Sequence, residues 1–538
     1  MGESAARRRA WLLLSALVLF GCGEDADPEA RSLIQPGVDV DVQGGSIHGE
    51  AEGSLRVFRG IPYAAPPLGD LRFRKTTPHP GWEGRLDTTA FGPGCPQNGN
   101  STLNPVAETA EDCLTLNVWA HENRKDDALR PVMVYLHGGG FVSGAGSSPL
   151  YEASRIARRG DVVVVTLNYR LGALGFLATA ELRAESPDGS VGNYGLLDQR
   201  AALGWIHDNI AIFGGDPTNV TLFGQSSGSV AICAQLAMAG SRDLVARAIL
   251  QSGGGCADVR LLEDDPVTPG GTLGLGESFV RATPCADAQS PVECMRRLPL
   301  GDLLEAQQQV PANLFGNRSL GPSVDGVLLP AQPIEVLEDA PEARPLLTGS
   351  MSREFALFVV GGVVKAETEA DYHQLTLGLT GDANRAADLE SVFPLSDFDS
   401  VREAVVTLGS EAVYACPARA LAAFTASRGA PAFNYEMRAS VGGLAGAVGP
   451  AHGLDVPFVF GTLDASSLLT YDEQDRALSD TMIELWTHFA TNSAPDTSSG
   501  WEPIRRGTLV LEEQGVRMVE DPSAGRCAKL EQLGLVPL

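Results

Sequence analysis

The stretch Asn219-Val220-Thr221-Leu222-Phe223-Gly224-Gln225-Ser226-Ser227-Gly228 decides how the chain is read. A short apolar run, Val220 to Phe223, ends in Gly-Gln-Ser-Ser-Gly. That pentapeptide has the G-x-S-x-G form of a turn in which a strand passes sharply into a helix and presents a serine. Such a serine sits in strained backbone, and a Cβ on either flanking residue would crowd the turn, so glycine is required on both sides. Ser227 to Ala239 is small and helix-compatible, and a helix starting there would favour negative charge developing at its N-terminus. A bare pentapeptide of this kind also fits an ordinary Gly/Ser turn. The flanks have to decide.

Upstream, Gly195 to Phe213 reads as a helix, because Leu203, Ile206, Ile210 and Phe213 recur on one helical face. Gly214-Gly215-Asp216-Pro217 stops it. Further back, Pro131 to Leu136 and Asp161 to Tyr169 are nearly continuous apolar runs, as expected of central strands covered on both faces. The first leads directly into His137-Gly138-Gly139-Gly140-Phe141. Downstream, Ala246 to Gln251, Arg344 to Gly349 and Pro431 to Met437 read as further strands. Asp480 to Asn492 reads as an amphipathic helix carrying Met482, Leu485, Trp486 and Phe489, and residues 508–520 as a closing hairpin. Alternation of buried strands with helices predicts an α/β fold, a large and mostly parallel sheet flanked by helices. Residues 41–64 suit small antiparallel strands, with Gly60 to Pro67 as a rigid turn, and 113–119 alternates as a half-buried strand should. Residues 257–345 and 361–430 read as loop and helix insertions over the sheet. There are no internal repeats, so 38–538 reads as one domain.

The 538 residues hold 40 Lys and Arg against 67 Asp and Glu, a formal charge of −27, which argues against nucleic acid as a partner. Residues 1–22 are expected to lie outside the fold. Arg7-Arg8-Arg9 followed by the apolar Ala10 to Phe20 has the form of an export signal. Its end, Leu19-Phe20-Gly21-Cys22, resembles a bacterial lipoprotein signal, in which the cysteine is lipidated; an ordinary signal peptide is the alternative. Residues 23–37 then form a polar tether. The expectation is an exported protein that meets a membrane only through lipid on Cys22, or else a secreted one. Export permits disulfides, and eight cysteines remain: 95, 113, 233, 256, 285, 294, 416 and 527. None stands in a C-x-x-C pair and the histidines are scattered, so no metal site is expected.

Acyl transfer through serine needs a nucleophile, a base, a carboxylate that orients the base, and donors for the oxyanion. Ser226 is the nucleophile candidate. Gly138-Gly139-Gly140 closes a strand as an H-G-G-G oxyanion loop does, in partnership with the N–H after the nucleophile, here that of Ser227. His452, in the loop Gly449-Pro450-Ala451-His452-Gly453, is the base candidate; His137 is assigned packing or positioning. The acid should lie between 226 and 452, just after a strand. Glu354 fits that place best and Asp325 is the runner-up.

Taken together, the chain resembles the type-B carboxylesterases, the cholinesterase and para-nitrobenzyl esterase group of α/β-hydrolases, from about residue 38 to 505. The resemblance is carried by Phe58 to Ala64, Glu111 to Val118, His137 to Phe141, Asn168 to Gly172, Gly195 to Gln199, and Phe213 to Pro217 leading into the elbow. It implies an ester hydrolase without metal or organic cofactor, acting on a small-molecule ester. It implies Ser226, Glu354 and His452 as the triad, Gly139, Gly140 and Ser227 as oxyanion donors, and Asp325 as a structural turn residue. It further implies the disulfides Cys95–Cys113 and Cys285–Cys294, is compatible with Cys416–Cys527, and leaves Cys233 to pair with Cys256. Amidases, carbamate hydrolases and lipases share the triad, and non-catalytic adhesion proteins share the fold.

Three departures from that family's pattern stand out. Gln225 and Ser227 flank the nucleophile where Glu and Ala are usual, and Phe355 follows the acid where Gly is common. Residues 96–112 contain no aromatic side chain, which argues against choline esters, because a choline cation is held over an aromatic face.

Overall fold

The computed structural model describes residues 37–98, 105–122, 128–257, 259–263, 270–310, 320–443 and 445–536. The leader, Cys22 and the tether up to residue 36 fall outside the described residues.

Eleven strands form the main sheet. In chain order they are β1 (Glu50–Glu52), β2 (Leu55–Pro62), β3 (Thr115–His121), β4 (Arg130–Leu136), β5 (Val163–Leu167), β6 (Gly215–Gln225), β7 (Arg247–Gln251), β8 (Leu346–Met351), β9 (Ala432–Met437), β10 (Thr508–Glu512) and β11 (Gly515–Val519). Across the sheet the order is β11-β10-β9-β8-β7-β6-β4-β5-β3-β2-β1. Neighbours from β10 to β5 run parallel, and antiparallel pairs close both margins. This is the expected α/β-hydrolase architecture.

The apolar runs are continuous because both faces of the sheet are covered. Val132, Val134 and Leu136 belong to one hydrophobic cluster, while Met133 and Tyr135 of the same strand belong to the other. Leu222 and Phe223 of β6 divide in the same way. The insertions follow this split. Leu275, Phe279, Met295 and Leu303 of the first pack into the cluster of Leu222; Tyr372, Leu389, Val405 and Leu408 of the second pack into that of Phe223.

Three local expectations need correction. Gly60 to Pro67 does not begin as a turn, because β2 runs through Pro62. A register shift between Phe58 and Ile61 absorbs Gly60, at φ +71°, whose N–H donates to Asn117 Oδ1 at 2.9 Å. Pairing with β3 on both sides of that bulge overrides the turn signal. The late helix spans Glu473–Asn492, starting earlier than Asp480. Asp472 and Asp475 cap it reciprocally, and its first turns are polar, so the apolar stripe alone misses them. β6 starts at Gly215, before its apolar run, since Arg130 of β4 still pairs with Gly215.

Four disulfides join Cys95–Cys113, Cys233–Cys256, Cys285–Cys294 and Cys416–Cys527. They follow the expected pairing.

Candidate active site

Strands β4 and β6 lie side by side and both end at one edge of the sheet, with Leu136 opposite Gly224. β5 lies on the far side of β4, so chain order reverses between β4 and β6. Open α/β sheets bind ligands at such a reversal, beyond the carboxyl ends of the strands. The elbow leaves β6 here and enters helix α1, Ser227–Ala237. Its glycines are demanded by β4: a Cβ on Gly228 would lie 2.0 Å from Leu136 O, and one on Gly224 2.7 Å from the same oxygen. Ser226 itself has φ +58° and ψ −128°, a conformation that L-residues rarely adopt. Its N–H donates to Gln251 O at 2.8 Å, which ties the strained turn to the end of β7.

Glu354 follows β8 and is fully buried at the start of a short helix, Phe355–Val360. Its Oε1 accepts from Met351 N–H at 2.7 Å, and its Oε2 lies 2.5 Å from His452 Nδ1. His452 sits in the loop between β9 and the helix Val456–Phe460. The rings of Phe358 and Tyr414 flank the imidazole at 5.0 and 5.1 Å. The second imidazole nitrogen, Nε2, is 3.1 Å from the side-chain amide nitrogen of Gln225, the residue before Ser226. Asp325 is placed otherwise: its Oδ1 accepts from the N–H groups of Val327, Leu328 and Leu329 and closes its own turn.

Phe355 does not displace Glu354. Its ring packs where a Cβ on Gly409 would lie 2.2 Å from it, and its N–H donates to Ser410 Oγ at 3.2 Å. The chain loosens into a π turn at Ser410–Ala415, beside the histidine.

The loop Gly138-Gly139-Gly140 needs glycine for its shape. Gly139 and Gly140 have φ of +119° and +65°, and a Cβ on Gly139 would lie 2.1 Å from Ser143 O. Val142 and Ser143 N–H both donate to Gly139 O at 3.1 Å. Ser227 opens α1, so its N–H belongs to the first-turn donors that a helix leaves without an internal acceptor. The Ser227 hydroxyl accepts from Phe141 N–H at 3.4 Å, linking elbow and loop. His137 stacks on Tyr169 at 4.4 Å, and its Nδ1 lies 2.9 Å from Gly138 O. Burial pushes its imidazole down to about 4, so it is neutral at ordinary pH and packs rather than titrates.

Sequence reasoning missed one brace. Asp455 Oδ2 accepts from Gln251 Nε2 at 2.8 Å and from Tyr435 OH at 2.7 Å. Burial, the largest influence on it, raises this carboxyl above the ordinary range. Gln251 O in turn receives Ser226 N–H and, at 2.9 Å, the Ser229 hydroxyl. The histidine loop and the elbow therefore share one support. The available signal was a carboxylate in an apolar run, Leu454-Asp455-Val456-Pro457-Phe458, three residues after His452.

Sheet order, elbow and the glycine loop after β4 together define the α/β-hydrolase class. The chain belongs to the carboxylesterase family, whose profile matches residues 36–528. It is 34% identical over 508 residues to the fumonisin B1 esterase of Sphingopyxis macrogoltabida, covering 91% of this chain and 89% of that protein. It is also 34% identical over 514 residues to the para-nitrobenzyl esterase of Bacillus subtilis (strain 168), covering 91% and 98%. Among solved structures, a PNB esterase superposes with a TM-score of 0.78 at 31% identity, covering 91% of this chain and 99% of that one. The protein is a carboxylic ester hydrolase.

Proposed function

We propose that ester hydrolysis proceeds through Ser226, His452 and Glu354 by way of an acyl-enzyme. The observation that carries this reading is the 2.5 Å contact between Glu354 and His452, whose Nε2 meets Gln225, the chain neighbour of a serine in strained elbow backbone. Ser226 Oγ attacks the ester carbonyl as His452 Nε2 takes its proton. Glu354 holds the imidazole through Nδ1–H and stabilises the imidazolium that forms. Gly139, Gly140 and Ser227 N–H groups face the developing oxyanion, where each donor is worth about 10²–10³ in rate. His452 then returns its proton to the leaving alcohol. Water, activated by the same histidine, attacks the acyl carbonyl and frees Ser226. The substrate is a small-molecule ester. Turnover of p-nitrophenyl esters from acetyl to long acyl tests this: hydrolysis that falls with acyl length supports a short-chain carboxylesterase. A folded protein inert at every length would favour an amide or carbamate substrate, or a non-catalytic role.

We further propose export with lipid on Cys22, on the strength of Arg7-Arg8-Arg9, the apolar Ala10 to Phe20 and the Leu19-Phe20-Gly21-Cys22 ending. Growth with a labelled fatty acid should label the wild type and spare Cys22→Ala. Equal labelling of both would rule the anchor out.

A further inference from the structure

Gln225 is the side chain that meets the reacting nitrogen of the histidine. Its amide nitrogen lies 3.1 Å from His452 Nε2, and Gln225 is only 7% exposed. A carboxamide NH₂ can donate and cannot accept. Nε2 must therefore be the acceptor, which places the imidazole proton on Nδ1, facing Glu354 Oε2 at 2.5 Å. That is the tautomer a general base requires, with the free lone pair aimed toward the elbow. The contact exists only while the imidazole is neutral, since an imidazolium has no lone pair to offer.

We propose that Gln225 is a positioning residue that caps His452 Nε2 in the resting enzyme and holds the base-competent tautomer until substrate arrives. The proposal rests on His452 being the base. During turnover the amide gives up Nε2 as Ser226 Oγ–H takes its place. The cap thus competes with the nucleophile and with the proton alike, and its removal affects the pH at which the enzyme switches on.

The other groups around the imidazole are common to wild type and variants. Glu354 lies at Nδ1. Asp455 stands three residues along the loop, bonded to Gln251 and Tyr435. The Tyr414 ring packs at 5.1 Å. Arg353, whose side chain lies against Gly449, is paired with Glu403 at 2.8 Å. None of these changes when residue 225 is replaced.

The test is the acidic limb of kcat/KM against pH for wild type, Gln225→Met and Gln225→Glu. Methionine keeps the bulk and loses the donor; glutamate loses the donor and adds a charge that favours imidazolium. The limb should move upward in the order Gln, Met, Glu, with the glutamate variant shifted by about one pH unit or more. Circular dichroism recorded at each pH shows that the folded fraction is constant across the limb, so that acid unfolding of a variant cannot imitate the order. Coincident limbs in all three proteins, or a downward shift in Gln225→Glu, would overturn the proposal. His452→Ala separates the two readings. If it is inactive while the three limbs coincide, only the cap is wrong; if it remains active, the triad is wrong as well.

Discussion

Replacement of Ser226 by alanine lowers kcat/KM for a short-chain p-nitrophenyl ester by about 10⁵-fold or more, the scale seen when a serine hydrolase loses its nucleophile. The loss corresponds to roughly 7 kcal/mol of transition-state stabilisation. Nothing comparable is expected in stability. The backbone at 226 is held by its N–H bond to Gln251 O and by the close packing of Gly224 and Gly228 on β4, and alanine disturbs neither. Thermal melts of the two proteins should superimpose within a few degrees. A folded Ser226→Ala protein retaining a tenth of wild-type activity would mean that another group attacks the ester.

The second large effect is expected from Glu354→Gln. The substitution preserves size, and the side-chain carbonyl can still accept from Met351 N–H. The NH₂ end then faces His452 Nδ1, where it can only donate. Nδ1 must become the acceptor, the imidazole proton moves to Nε2, and the base has no lone pair for Ser226. kcat should fall by about 10³–10⁴, with KM little changed, because the lost interaction is made in the transition state. Asp325→Asn is the informative contrast. Its side chain caps its own turn through Val327, Leu328 and Leu329, and the amide oxygen can still do so. Its activity should stay within a few-fold of wild type. If instead Asp325→Asn were the crippled variant and Glu354→Gln were active, the acid would have been misassigned.

The central strands were legible because burial on both faces writes itself as uninterrupted apolar runs, as in Val163–Leu167, where every residue is buried. The elbow and the glycine loop after β4 were legible because close backbone approach excludes every residue but glycine; Gly139 and Gly228 would each place a Cβ about 2 Å from a carbonyl oxygen. Elements whose signal depends on partners were read less well. Gly60 looked like a turn until β3 supplied the ladder that carries β2 through a bulge. The first turns of Glu473–Asn492 are held by a reciprocal cap at Asp472 and Asp475, which leaves no apolar stripe. The acid proposed here was ambiguous from spacing alone, since Asp325 and Glu354 both stand in the right interval; the reason for preferring Glu354 is a 2.5 Å contact with His452 across 98 residues of chain. The brace from Asp455 to Gln251 and Tyr435 joins three distant segments and has no local pattern. Gln225 was visible as an unusual residue at the elbow, and only the fold places its amide on His452 Nε2.

The most direct test of Ser226 as nucleophile is covalent. Wild-type protein is treated with a fluorophosphonate, its intact mass is measured, and the modified peptide is sequenced. One adduct per chain, on Ser226, appearing in step with the loss of esterase activity and absent from Ser226→Ala, is the predicted result. An adduct on any other residue, or full ester turnover by protein already labelled at Ser226, would contradict it.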